Sequence, residues 1–191
     1  MAGRPEVTDL LAAVAGGDER AREVLFERVY ADLKRIARGQ MRRSGDYLTI
    51  NPTTLLHEAW IKFDRAESRR FEGSTHFYNV LGVAMRQILV DLARSQGSQR
   101  RGQQAVHTEL TERIEDPDKS AEDLLAVDAA LGKLETCDAE LAQLVQWHFF
   151  GGVSFTDIAK ARGVTERTVR RHWEMARMFL ADAIGTQAVS P

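Results

Sequence analysis

The stretch DIAKARGVTERTVRRHW, residues 157–173, sets Arg167, Arg170, Arg171 and His172 close behind a glycine, Gly163. At helical spacing these four side chains lie on an outward flank, while Val169, Trp173 and the following Ala176 fall on the inward one. Guanidinium groups so arrayed suit guanine edges in a major groove or the phosphates beside it. Thr165, Glu166 and Thr168 open the same helix and join the candidate duplex-contacting set. An ordinary helical hairpin with a solvated basic face uses the same residue types, and the pattern taken alone leaves both readings standing.

Such a flank needs a rigid mount. Ser154, with Asp157 three residues on, resembles a capping box, so a helix should begin at Phe155. Gly163 allows the left-handed turn that ends it, and Thr165 can cap the next helix. So short a turn forces the two helices to cross closely, with small Ala159 at the crossing and Ile158, Val164 and Val169 beneath. The predicted unit is a helix-turn-helix, its second helix running to about Ala183.

Upstream the periodicity predicts more helices. VTDLLAAVA is a short one closed by Gly16-Gly17, and Asp18 caps a longer one in which Ala21, Val24, Leu25, Leu33, Ile36 and Ala37 recur, broken at SGD, residues 44–46. Asn51-Pro52-Thr53-Thr54 reads as the entrance to LLHEAWIKF, where Leu55, Leu56, Ala59, Trp60 and Phe63 form one stripe. After a Gly73-containing loop, FYNVLGVAMRQILVDLAR puts apolar residues at 77, 80, 81, 84, 88 and 92. From Ser95 the sequence turns polar and basic, and HTELTERIEDPDKSAED then carries seven acidic residues against two basic ones, a composition that predicts a flexible linker. LLAVDAALGKL and ELAQLVQWHFF resume helical spacing, and GTQAVSP reads as a tail.

Composition agrees: 191 residues, 43% hydrophobic but 7% aromatic, with four prolines and long Ala-, Leu-, Arg- and Glu-rich stretches, predict an all-α chain of two small helical domains. A formal net charge of −2 excludes DNA binding by bulk electrostatics, so contacts must use local patches or a partner's charge. Cys137 stands alone, which excludes an internal disulfide, and no spaced His pair accompanies it to make a zinc site, so it is expected as a partly buried thiol and no metal or cofactor is expected. No apolar run nears the roughly 18 residues that cross a bilayer, and MAGRPEVTDLL lacks a signal-peptide core, so a cytoplasmic location is expected.

On these motifs the chain resembles the RNA polymerase sigma factors of the extracytoplasmic-function (ECF) type, in the sigma-70 class. SFTDIAKARGVTERTVRRHWEMARMFL is similar to the family's domain four motif through Ser154, Phe155, Asp157, Ile158, Ala159, Gly163, Thr168, Val169, Ala176 and Arg177. FYNVLGVAMRQILVDLAR resembles its domain two helix through Phe77, Leu81, Arg86, Asp91 and Arg94, although Val80 stands where Trp is usual, Gly82 where Tyr is common and Gln87 where Asn is usual. TTLLHEAWIKF is similar to the helix that docks on the polymerase clamp, with Glu58 at the family's Glu position.

The resemblance implies sigma domain 2 over residues 1–95, a linker over 96–120, sigma domain 4 over 121–185 and a tail over 186–191. Domain 2 would capture a flipped base of the minus-10 element and domain 4 would read the minus-35 duplex, with no covalent chemistry. Flipped bases need planar groups for stacking and cations for phosphate, which Arg69, Arg70, Phe71, His76 and Tyr78 offer, with Phe77 as either stacking partner or core. Arg86, Arg94, Arg100 and Arg101 are candidate backbone contacts in a segment, residues 65–101, with seven Arg against three acids. Leu56, His57, Glu58, Trp60 and Ile61 are the candidate polymerase contacts. The implied partners are core RNA polymerase, at its clamp coiled coil and flap, promoter DNA and an anti-sigma factor, with a monomer expected when free and no membrane contact.

Three other functions remain to be weighed. A stand-alone helix-turn-helix regulator leaves residues 18–94 without a sensing or dimerising role. A helical protein-binding module predicts no promoter defect when Arg170 and Arg171 are removed. An enzyme lacks motif support: His57-Glu58 has no second His of a zinc-protease helix, and there is no phosphate loop or nucleophile elbow.

Overall fold

The computed structural model describes residues 6–44, 50–65, 71, 73–102 and 117–187. It is all-α, with no strand among the described residues. The helices are α1 (Val7–Ala15), α2 (Glu19–Ser44), α3 (Pro52–Asp64), α4 (Ser74–Gly102), α5 (Pro117–Cys137), α6 (Ala139–Val145), α7 (Phe155–Arg162) and α8 (Glu166–Gln187), with a π-helical turn, Gln146–Phe150, between α6 and α7.

Local chemistry sets these ends. The Asp18 carboxylate accepts from the N–H groups of Arg20 and Ala21, opening α2. Asn51 accepts from Thr53 and Thr54 at 3.0 and 2.9 Å, with Pro52 at the first helical position where its missing N–H costs nothing.

α1–α4 share one core. Leu25, Leu33, Leu55, Leu56, Phe77, Leu81 and Met85 are fully excluded from solvent in it, and an aromatic group of Trp60, Phe63, Phe71 and Phe77 packs edge-to-face or tilted with centroids 4.8–6.5 Å apart. Phe77 is therefore core. Ala21, Leu25, Val29, Leu33 and Ala37 make the buried stripe of α2; Val24 stands a third of a turn off it and is exposed, contrary to expectation.

α5–α8 build two smaller clusters. Leu131, Leu134, Ala142, Val145, Phe150 and Ala176 form one, Leu144, Val153, Ile158, Ala159 and Val169 the other, and Trp173 packs against both. Val164 does not join them: it sits in the turn between the helices and is exposed. Cys137 is also exposed, at the end of α5, where a partly buried thiol was expected.

Helix occupies both ends of the expected linker, because α4 continues past Ser95 to Gly102 and α5 starts at Pro117. The two halves also pack on one another, with the π-helical turn lying against α4.

Candidate nucleic-acid interface

Two caps build α7 and α8, and a turn and one side-chain bridge join them. The Ser154 hydroxyl accepts from the Asp157 N–H at 3.1 Å and donates to its carboxylate at 2.6 Å. Gly163, at φ 64°, ψ 29°, turns the chain out of α7, and Val164 N–H donates back to Ala159 O at 3.1 Å. Thr165 accepts from the Thr168 N–H at 3.2 Å and so caps α8. Thr156 in α7 donates to Glu166 in α8 at 2.8 Å.

Glu166 also holds Arg170 one turn on, at 2.6 and 2.9 Å, and Arg170 lies 5.0 Å over the Phe155 ring. The Thr156 hydroxyl, and then Arg170, hold the Glu166 carboxyl below its ordinary range. Arg162 is engaged in another way: it donates to Glu140 O at 2.8 Å and Gln143 at 2.9 Å and stacks 5.3 Å from Trp147, tying α7 to α6. Burial lowers its pKa, against the pull of Glu140 and Asp138.

Arg167 and Arg171 are left exposed, with no hydrogen bond or ion pair among the described residues. Of the expected duplex-contacting set, these two cations are therefore unencumbered, whereas Thr165, Glu166, Thr168 and Arg170 spend side-chain contacts on building the motif. His172 is half-buried.

The second expected set is spread along α4. Phe71 packs on Phe63, His76 and Phe77 at 5.5, 5.5 and 5.7 Å. Tyr78 donates to Asp32 at 3.2 Å, and burial, reinforced by the Asp32 carboxylate, pushes its phenol up to about 12. Arg86 pairs with Asp128 of α5 and lies 5.2 Å over the Phe150 ring, and Arg94 reaches the other oxygen of Asp128 at 3.1 Å. Arg69 and Arg70 lie outside the described residues. Arg100 and Arg101 fall on the last turn of α4, which at 29 residues is ~43 Å long and holds them far from Phe71 and His76.

On α3, His57, Glu58 and Ile61 are exposed and contiguous, and Trp60 is half-buried against Phe26 at 4.7 Å. Leu56 corrects the sequence reading: it is fully buried in the core, because it stands beside Leu55 on the inward stripe, and it offers no surface to a partner.

Three residues outside the expected sets prove central to the arrangement: Gln40, Gly82 and Asp128. Two carried a signal, since an isolated glycine in an apolar helix and an acid inside LLAVDAAL both call for a packing reason.

The family model described as ECF sigma factor matches residues 4–185, a span that takes in α4, the helix-turn-helix and everything between them. The chain belongs to the ECF sigma factor family. No curated protein and no solved structure matches it. As an ECF sigma factor it acts in transcription initiation, with core RNA polymerase and promoter DNA as partners, in a family of non-enzymatic transcription factors. No helix among the described residues is long and apolar enough to cross a membrane.

Proposed function

We propose that this ECF sigma factor grips promoters at two points: α8 reads a minus-35 duplex while α4 and the residues before it capture and melt the minus-10 element. The observation that carries the reading is the geometry of the α7–Gly163–α8 unit, whose ties hold α8 at a fixed angle with Arg167 and Arg171 exposed on its first turns. On this reading residues 1–95 act as domain 2 and 121–185 as domain 4, and Arg86, Arg94, Arg100 and Arg101 follow the DNA backbone. His57, Glu58 and Ile61 supply an exposed α3 face for the polymerase clamp, with Trp60 at its edge. The small net charge of −2 fits a subunit that positions and discriminates while polymerase holds the DNA.

In vitro transcription with core polymerase on a genomic library should yield start sites that depend on this chain; if no start depends on it, the reading fails. Replacing both Arg167 and Arg171 by Ala should then weaken promoters that rely on a minus-35 element by about tenfold or more, and lower the salt dependence of binding by about one phosphate contact for each arginine that touches backbone. Promoters that work without a minus-35 element should be spared.

A further inference from the structure

The outward side of α8 is mostly charged, but Met178 breaks the pattern: it is 68% exposed, and Met175 close by is 40% exposed. Met178 stands at the rim of an apolar cleft of about 430 Å³, lined by Val127 of α5, Val145 of α6, Phe149 of the π-helical turn and Trp173, Leu180 and Ile184 of α8 itself. Glu174 and Arg177 stand on the same rim. Their side chains are 63% and 59% exposed and meet along the helix at 3.3 and 3.4 Å. Apolar residues scattered over a surface call for no explanation, but an exposed apolar knob beside a cleft of its own chemistry does.

We propose that this cleft takes a second copy of the chain, with the two α8 helices running antiparallel about a two-fold axis level with Met175 and Ala176. In that register Glu174 of each copy stands opposite Arg177 of the other, and Met178 stands opposite Trp173 in the cleft. These four residues lie on one flank of α8 at helical spacing. One register thus pairs the charges and seats the knob, and it does so twice, as an isologous interface demands. A parallel pair would instead set Glu174 against Glu174 and Arg177 against Arg177. Within one helix the Glu174–Arg177 pair is solvated and contributes little, so exchanging it for two pairs across the axis costs little. Each Met178 meanwhile leaves water for an apolar wall that includes an indole ring. The dimer takes the place of the monomer that the family resemblance implies for the free chain. One helix pair makes a small interface, so association belongs in the range of about 1–100 μM.

Sedimentation velocity on the full chain, without DNA or polymerase, tests this. Between about 1 and 200 μM the weight-average mass should climb from that of one chain toward that of two, and no further. Met178→Glu should stay at one chain throughout, with circular dichroism reporting unchanged helix, since the side chain it replaces is mostly in water. Glu174→Arg and Arg177→Glu, each alone, should weaken association by about tenfold or more, because like charges then face each other. Mixed one to one, those two variants should associate at least as well as wild type: each arginine now meets a glutamate across the axis and none within its own helix. Lys133→Glu, on α5 outside the cleft, should behave like wild type. A mass that stays at one chain overturns the proposal and leaves the cleft to a partner of another sequence. Association that survives Met178→Glu overturns it too, as does growth past two chains or a mixture no heavier than its separate components. Start-site selection is read in the transcription assay, so either reading can fail without the other.

Discussion

α8 and α4 both carry arginines toward a prospective DNA surface, yet the two helices hold them in opposite circumstances. On α8 the acids that pair with arginines, Glu166 with Arg170 and Glu174 with Arg177, stand on the same helix and leave Arg167 and Arg171 exposed. On α4 the acid is Asp128, far along the chain, and it neutralises Arg86 and Arg94 together. An arginine count along the sequence treats the two helices alike. The difference teaches that a basic residue becomes available to DNA only after the fold has decided which acids face it.

The mounts differ as well. α4 rests on a broad aliphatic and aromatic core, whereas α8 is aimed by caps and a turn over small clusters. Phe77→Ala strikes the first mount and should cost about 3–5 kcal/mol, read from urea unfolding, since the ring is fully buried among four aromatic neighbours. Gly163→Val strikes the second: a β-branched side chain at φ 64° should cost about 1–3 kcal/mol and also weaken duplex binding, because the turn that aims α8 is lost. Comparable losses of DNA affinity from both variants, scaled to stability, would erase the contrast. Ser154→Ala should cost about 1 kcal/mol through loss of the α7 cap, measured the same way.

A smaller, pH-dependent loss belongs to α4. The Tyr78 phenol is held neutral up to about 12, so the stability it contributes is intact below the ordinary value of 10.0 and is lost as pH rises from there through about 12. Phenolate absorbance should show one tyrosine titrating late, and Tyr78→Phe should remove that step. At the bottom of the scale, Arg171→Ala and Arg94→Ala should each alter stability by less than about 0.5 kcal/mol in thermal melts. Without polymerase only Arg171→Ala should weaken DNA binding, because Asp128 already holds Arg94.

Much of this was legible in the sequence because it is local. Asp18, Asn51, Ser154, Gly163 and Thr165 act within three residues of themselves, and each caps or turns the chain where its type predicts. What escaped is long-range. Gln40 meets Phe150 across 110 positions, and no periodicity in either segment announces the pairing. Gly82 was visible as a departure from the family's usual Tyr, but its reason, a backbone carbonyl in the space a side chain would need, lies on another element. The exposed Val24 and Val164 mark the same limit in miniature, since apolar type was read as burial at positions where stripe and turn geometry point outward.

The division of labour on α8 has an evolutionary reading. Thr156, Glu166, Arg170 and Phe155 interlock to hold the helix's pose, and Arg167 and Arg171 take no part in that interlock. If α8 reads promoters as proposed, pose and message are written in different residues, and exchanging the two surface arginines should change which promoters are served while the frame that presents them stays as it is.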